Sequence, residues 1–251
     1  MSVHYSVTNA TAHITLDAEE KRNALSRAMI SQLAEHVTTA NDDPTVRSII
    51  LGHTGNTFCS GADLSAANGG SMEDSAKNFL ALLRTLISGP KPISAVVNRH
   101  VRAGGMGLLS ACDVVFAVPD ATFAAPEPRI GVAPALIALT VLPRMTNRSA
   151  AYYLLSGKVL DAETALANGL VTEIADDPAE AASAYAAELL TCSPQGLAET
   201  RALLNRDMLE AFDARGAELA ATSARLFASD EAQTGIGAFR NREKPPWVAV
   251  Q

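Results

Sequence analysis

The sequence predicts an α/β core followed by a helical C-terminal appendage. Three observations carry that expectation. Up to about residue 174, apolar runs of strand length alternate with stretches of helical period. From Pro178 onward the pattern is helical almost throughout, rich in Ala, Leu and Glu. Between these regimes, residues 98–113 carry Gly104, Gly105 and Gly107 between the apolar runs 93–97 and 114–118, which reads as strand, glycine turn, short helix and strand. The chain divides accordingly into a core over residues 1–192 and a helical region over 193–251.

Residues 3–8 and 12–16 have strand composition and are joined by a turn at Asn9. A polar loop follows, carrying the adjacent cations Lys21 and Arg22. Ser26 is placed to cap a helix running to about Asn41, with Met29, Ile30, Leu33 and Val37 along one face. Asp42-Asp43-Pro44 ends it. Residues 48–51 form a strand, and residues 52–58 a loop leading into Cys59-Ser60-Gly61-Ala62-Asp63-Leu64. Residues 65–71 are a Ser- and Gly-rich loop expected to be mobile. Ser71 and Asp74 fit a capping box for a helix with the face Phe79, Leu82, Leu83, Leu86 and Ile87, stopped by Gly89-Pro90. Beyond the central stretch, residues 121–131 read as a loop with one conspicuous acid, Glu127, aimed by prolines on both sides. Helices are predicted over 135–142, 147–155 and 161–168, the last closed by Gly169, and a strand over 171–174.

The chemistry concentrates at the glycine turns. Gly104 and Gly105 admit backbone conformations that a Cβ would forbid and let a ligand come close. N–H groups at the start of the following helix lack intrahelical partners, and the helix dipole adds positive potential, so this turn suits an anion or a developing oxyanion. The turn at Gly61 supplies a second set of donors that could converge on the first.

Composition removes many other classes. A chain of 251 residues holds one large core, and its formal charge of −7 argues against nucleic acid or an anionic membrane as partner. Any anionic ligand must be met by locally placed Lys and Arg. Cys59, Cys112 and Cys192 are too few and too scattered for a disulfide framework or a zinc site. No histidine pair has metal-ligand spacing, and His100 beside the turn reads as a solvated loop residue. Gly105-Met106-Gly107 lacks the third glycine of a dinucleotide fingerprint, since position 110 is Ser110. There is no Walker loop and no nucleophile elbow. Residues 1–7 do not form a signal peptide, and the apolar stretch 130–143 is too short to span a bilayer, so a cytoplasmic protein is expected.

What remains is distinctive in combination. Residues 59–64, then Ala103-Gly104-Gly105-Met106-Gly107 with Cys112-Asp113, then Pro126-Glu127 follow one another at intervals of roughly 40 and 20 residues. In these motifs the chain resembles the crotonases, the enoyl-CoA hydratase/isomerase superfamily. Lys21-Arg22-Asn23-Ala24-Leu25 is similar to that family's first CoA-contacting segment, residues 58–64 to its second and the central stretch to its third. Gly235 to Phe239, followed by Lys244-Pro245-Pro246-Trp247, is similar to its C-terminal ending. The resemblance implies a crotonase-like spiral of ββα turns, with a C-terminal helical region that packs subunits into a trimer or a dimer of trimers. It implies an acyl-CoA thioester substrate, with coenzyme A as part of that substrate and neither separate cofactor nor metal. Glu127 is then the acid/base, and the backbone N–H groups of Ala62 and Gly104 form a thioester oxyanion hole. Substrate and CoA contacts are implied for Lys21, Arg22, Ala24, Ser60, Ala62, Asp63, Leu64, Gly104, Phe239 and Lys244.

One departure matters. The best-known hydratases of this family place a carboxylate at the position matching Gly107 and a second at the position of Glu127. Two carboxylates let one activate water at C3 while the other handles the proton at C2; one alone suits proton shuttling between C2 and C4. Gly107 together with residues 129–135 is similar to branches that hydrate branched, glutaconyl-type CoA esters. The expectation is a 2-enoyl-CoA hydratase forming a 3-hydroxyacyl-CoA. A Δ3–Δ2 enoyl-CoA isomerase and a glutaconyl-type CoA hydratase are alternatives within the class. A catalytically weak acyl-CoA-binding protein is the alternative of another class.

Overall fold

A computed structural model describes residues 2–63 and 72–248. The expected loop over 65–71, the capping role of Ser71, and Leu64 lie outside the described residues. Strands β1 (Val3–Thr8) and β2 (Thr11–Leu16) form an antiparallel hairpin. Its turn residues Asn9 and Ala10 both have positive φ, 51° and 59°, as a tight hairpin matched to the strand twist requires. Helix α1 (Arg27–Asp42) is capped by Ser26, whose Oγ accepts from the Met29 N–H at 3.2 Å, and it buries Met29, Leu33 and Val37.

From there the chain repeats one unit: a strand in a large sheet, a short strand in a small one, then a helix. β3 (Ser48–His53) and β4 (Thr57–Cys59) lead to α2 (Met72–Ser88). β5 (Ile93–Val97) and β6 (His100–Arg102) lead to α3 (Gly104–Ala111). β7 (Val114–Ala117) and β8 (Thr122–Ala124) lead to a 3-10 turn, Glu127–Ile130, and then α4 (Ala138–Val141). β3, β5 and β7 pair in parallel in the large sheet, with Ile49 beside Ile93 and Ser94 beside Val114. β4, β6 and β8 pair in parallel in the small one. Each unit therefore advances one step along both sheets, which is a spiral of ββα turns.

The inner strands β5 and β7 of the large sheet read as nearly unbroken apolar runs because both faces are covered. Every residue of β5 is buried. One face meets the main core with Leu82, Leu83 and Leu86 of α2. On the other, Ile50, Val96 and Phe116 are covered by Ala182 and Ala186 of α7 (Pro178–Leu189), which follows α5 (Asn147–Ser156), β9 (Leu160–Asp161), α6 (Ala162–Ala167) and β10 (Glu173–Ile174). The long α8 (Pro194–Phe227) lies along α2 and contributes Met208, Phe212 and Ala220 to the main core; α9 (Asp230–Asn241) follows it. Arg201 fastens α8 in place. Its Nε donates to Asp113 Oδ2 at 2.7 Å, and its other nitrogens donate to the carbonyls of Leu86, Ile87 and Gly89 at the end of α2. Asp113 also accepts the Ile93 N–H at 2.8 Å. One arginine thus answers helix-end carbonyls that have no intrahelical donor.

Several elements differ from expectation. β6 and β8 lie where turn and loop are predicted, because three-residue strands show no readable alternation. Residues 121–131 are accordingly not one loop. The helix over 135–142 shrinks to α4, bracketed by Pro134 and Pro143, and the strand over 171–174 to β10. Among the described residues no helix is long and apolar enough to cross a membrane.

The Arg201 clamp makes a direct prediction. Arg201→Met leaves the Asp113 carboxylate without its cation in a largely buried place. It also takes the arginine donors from the carbonyls of Leu86, Ile87 and Gly89, of which, among the described residues, Ile87 alone keeps another, Asn205 Nδ2 at 3.3 Å. The expected loss is about 3–5 kcal/mol, read as a lower urea midpoint, with Arg201→Lys in between. A midpoint for Arg201→Met equal to that of the parent would refute the clamp.

Candidate active site

The chain leaving β4 runs beside residues 21–25. The Ser60 N–H donates to Arg22 O at 3.1 Å, the Leu25 N–H to Gly61 O at 2.8 Å, and the Asp63 N–H to Leu25 O at 3.4 Å. This parallel bridge between Leu25 and Ala62 uses the groups flanking Ala62, so the N–H of Ala62 itself points away from Leu25. On its other side begins α3. A Cβ built on Gly61 would stand 2.6 Å from Ala103 Cβ and 3.3 Å from Gly104 N. Gly104 is the first residue of α3, so its N–H has no intrahelical acceptor. Two backbone donors thus stand on adjoining turns, neither taken by a backbone acceptor among the described residues.

The unusual backbone angle falls on Ala103, with φ 49° and ψ −121°, and not on Gly104 or Gly105 as the sequence predicts. The glycines serve close approach instead. A Cβ on Gly105 would lie 2.6 Å from the Cys59 carbonyl oxygen, and one on Gly104 would lie 2.8 Å from Leu25 Cδ1.

Glu127 opens the 3-10 turn that follows Pro126. It is 9% exposed, and its Oε2 has no hydrogen-bond partner among the described residues. Loss of water raises its pKa from 4.5 to about 7. The cation two residues on is engaged elsewhere: Arg129 Nε donates to Ser156 O at 3.0 Å. The turn is closed by the Val132 N–H donating to Glu127 O at 3.1 Å. It is backed by α9, where Ala232 and Ile236 pack on Val132. Cys59 and Cys112 are also buried, and burial pushes each thiol up to about 12, which disqualifies them as nucleophiles.

At Gly107 the missing carboxylate has a physical counterpart. A Cβ there would meet Ile137 Cγ2 at 2.6 Å and Phe79 Cζ at 3.5 Å. The Phe79 ring tip is also 3.5 Å from a Cβ placed on Gly104. Leu25, Phe79 and Ile137, all buried, therefore wall both glycines with apolar groups.

Of the other residues singled out from sequence, Lys21 ends a short 3-10 turn with its Nζ 3.9 Å from Asp63 Oδ2. Arg22 is exposed in a left-handed conformation, and Ala24 and Ser60 are half-buried beside it. These residues join Ala62 and Gly104 in one cluster. Phe239 on α9 is 61% exposed, and Lys244 beyond the end of that helix is exposed as well. Sequence reasoning assigned no role to Phe79 beyond its helix face, to Ile137 or to Asn23. Asn23 is fully buried within the cation loop. The signal for it was an Asn at a bend, a residue that tolerates left-handed backbone.

The enoyl-CoA hydratase/isomerase family profile matches residues 6–249. A crystal structure of an enoyl-CoA hydratase from Mycobacterium avium superposes with a TM-score of 0.92 at 42% identity, covering 98% of this chain and 99% of that one. A mevalonyl-coenzyme A hydratase of Aspergillus fumigatus is 32% identical over 96% of this chain and 93% of its own length. The mitochondrial enoyl-CoA hydratase domain-containing protein 3 of Danio rerio is 30% identical over 93% of this chain and 83% of its own length.

The raised Glu127 pKa carries a stability consequence of definite sign. The folded chain holds this proton up to about pH 7, whereas an unfolded glutamate releases it near 4.5. The contribution is therefore fully present below 4.5 and is lost as pH rises to 7, by about 3 kcal/mol in all. Glu127→Gln, which stays neutral, is expected to melt higher than the parent at pH 8, with the gap closing by pH 5. Melting curves at the two pH values check this; a gap independent of pH would contradict it.

Proposed function

Since this chain belongs to the enoyl-CoA hydratase/isomerase family, we propose that it hydrates a 2-enoyl-CoA thioester to the 3-hydroxyacyl-CoA with Glu127 as its sole acid/base. The observation that carries this reading is the buried Glu127 carboxyl, one oxygen unpartnered and the pKa near neutrality. As carboxylate it takes a proton from water as the water oxygen bonds to C3. The C2–C3 π electrons move onto the thioester, giving an enolate whose oxygen receives the Ala62 and Gly104 N–H groups. Glu127, now protonated, delivers its proton to C2 and is restored. A pKa of about 7 suits a group that must both accept and donate near neutrality. Lys21 and Arg22 are proposed to meet the CoA phosphates. Phe239 and Lys244 are assigned to the same ligand in an assembly, a trimer or a dimer of trimers. Leu203 and Leu204, about 70% exposed on α8, support an assembly of that kind.

A second reading, Δ3–Δ2 isomerisation, is favoured by Ile137. The space beside Gly107 is filled by a hydrocarbon, so no second carboxylate activates water there. In this reaction Glu127 removes a proton from C2 of a 3-enoyl-CoA and returns it at C4, through a dienolate whose oxygen meets the same two N–H donors.

Turnover of 2-enoyl- and 3-enoyl-CoA esters of short and medium length decides between these readings. No turnover, with CoA still raising the melting temperature, would leave only a binding protein. In either reaction Glu127→Gln is expected to lower kcat by about 10²–10⁴-fold. For the parent, kcat/KM should rise with pH through about 7 as the carboxylate forms, and the variant should lose that limb. Near-normal turnover in Glu127→Gln would move the chemistry to another residue. Gly107→Glu alone is expected to fail sterically. Paired with Ile137→Ala it should increase hydration of crotonyl-CoA relative to Ile137→Ala alone, as steady-state kinetics would show.

A further inference from the structure

Asn23 satisfies two demands that few residues meet together. Its backbone is left-handed, φ 51°, directly after Arg22 at φ 53°, a region open to Asn, Asp and Gly at little cost. Its side chain is fully buried and uses acceptor and donor at once. Oδ1 accepts the Ala18 N–H at 2.7 Å, while Nδ2 donates to the carbonyls of Thr57 at 2.7 Å and Thr54 at 3.2 Å. Aspartate would lose the donors and glycine would lose everything but the backbone freedom.

The bonds join the cation loop to the start of β4. From that root the two segments run on together: Arg22 O receives Ser60 N–H, Gly61 O receives Leu25 N–H, and Leu25 O receives Asp63 N–H. The outcome of that pairing is the direction of the Ala62 N–H. We propose that Asn23 is the positioning residue of the Ala62 donor, a buried amide that fixes the bridge between residues 21–25 and 60–63. This inference rests on the reading of Ala62 as an oxyanion donor given above. Asn23 touches no reacting atom; it acts through the backbone between itself and Ala62.

The probe is acetoacetyl-CoA, whose β-ketothioester gives up its C2 proton to buffer and leaves an enolate with a near-ultraviolet band. A pocket that stabilises the thioester oxyanion increases the bound enolate at fixed pH, with no turnover involved. Asn23→Gly keeps the left-handed backbone and removes the three side-chain bonds. It is expected to cut the bound enolate-to-ketone ratio by about ten- to a hundred-fold, the range of a misaligned oxyanion donor. On a substrate that is turned over, kcat and kcat/KM should fall by the same factor with KM little changed. Arg201→Lys, destabilised far from the turn, serves as control and should keep the parental enolate ratio. If Asn23→Gly does not stay folded, Asn23→Asp, which keeps the Ala18 bond, carries the same readout. A folded Asn23 variant with a lower melting temperature but a parental enolate ratio would make the residue merely structural and overturn the proposal. A parent protein that binds acetoacetyl-CoA without ionising it would instead overturn the oxyanion reading itself, and the proposal with it.

Discussion

Backbone segments approach one another here more closely than side chains would permit, and the site follows from that. Neither Gly105 against the Cys59 carbonyl nor Gly61 against Ala103 leaves room for a Cβ, each clearance being 2.6 Å. This contact brings the start of α3 onto the end of β4, two steps of successive ββα units. The Ala62 and Gly104 donors consequently stand on adjoining turns, brought together by backbone contact. The strain of the turn resides in Ala103, whose conformation is costly for a residue with a Cβ. Its N–H is tied to Ala124 O at 2.9 Å, in β8 of the next unit. Three consecutive units therefore share the definition of one turn, and the spiral is what makes the geometry stiff.

The two functionally suggestive acids are treated in opposite ways. Asp113 is paired with Arg201 and with a strand N–H, so its charge is compensated and its part is to fasten α8 and α2 to the sheet. The Cys112-Asp113 motif is thereby structural. Glu127 is stripped of water without receiving a cation, although the chain carries Arg129 two residues on. Desolvation then dominates its proton affinity and acts upward, against a smaller downward effect of a backbone hydrogen bond. Any ligand that excluded more water would push in the same direction. The net charge of −7 does not enter at this range; local burial decides.

Sequence was a good guide to elements long enough to show a period. Ser26 capping α1, the apolar face of α2 and the unbroken run of β5 are all visible as residue patterns. The small sheet was hidden because β4, β6 and β8 have three residues each, and a three-residue strand carries one alternation at most. The repeat of the spiral was hidden for the same reason: its units share geometry, not residues. The turn motifs located the candidate site, and Glu127 between prolines stood out. Its isolation from Arg129 could not be read, since that depends on where the Ser156 carbonyl falls. Asn23 was quoted only as part of a motif, because its partners Thr54 and Thr57 lie more than thirty residues away.

The departure at Gly107 is likewise not a property of one position. Ile137 fills the space, and Ile137 is held by α4, whose Thr140 Oγ1 lies 3.1 Å from Gly107 O and 3.2 Å from Ile137 O. That hydroxyl latches α4 to α3 at the very residue whose side chain is missing. Introducing a carboxylate at 107 alone would force Ile137 aside and strain the latch, or would bury a charge against Phe79 and Ile137 without a partner, and both are costly. Shrinking Ile137 alone would open a cavity without supplying a proton carrier. Neither single change leads smoothly to a carboxylate beside Gly107, so the packing of α4 on α3 keeps that place apolar. Whether a carboxylate fits at position 107 is set by the helix pair as much as by the residue itself.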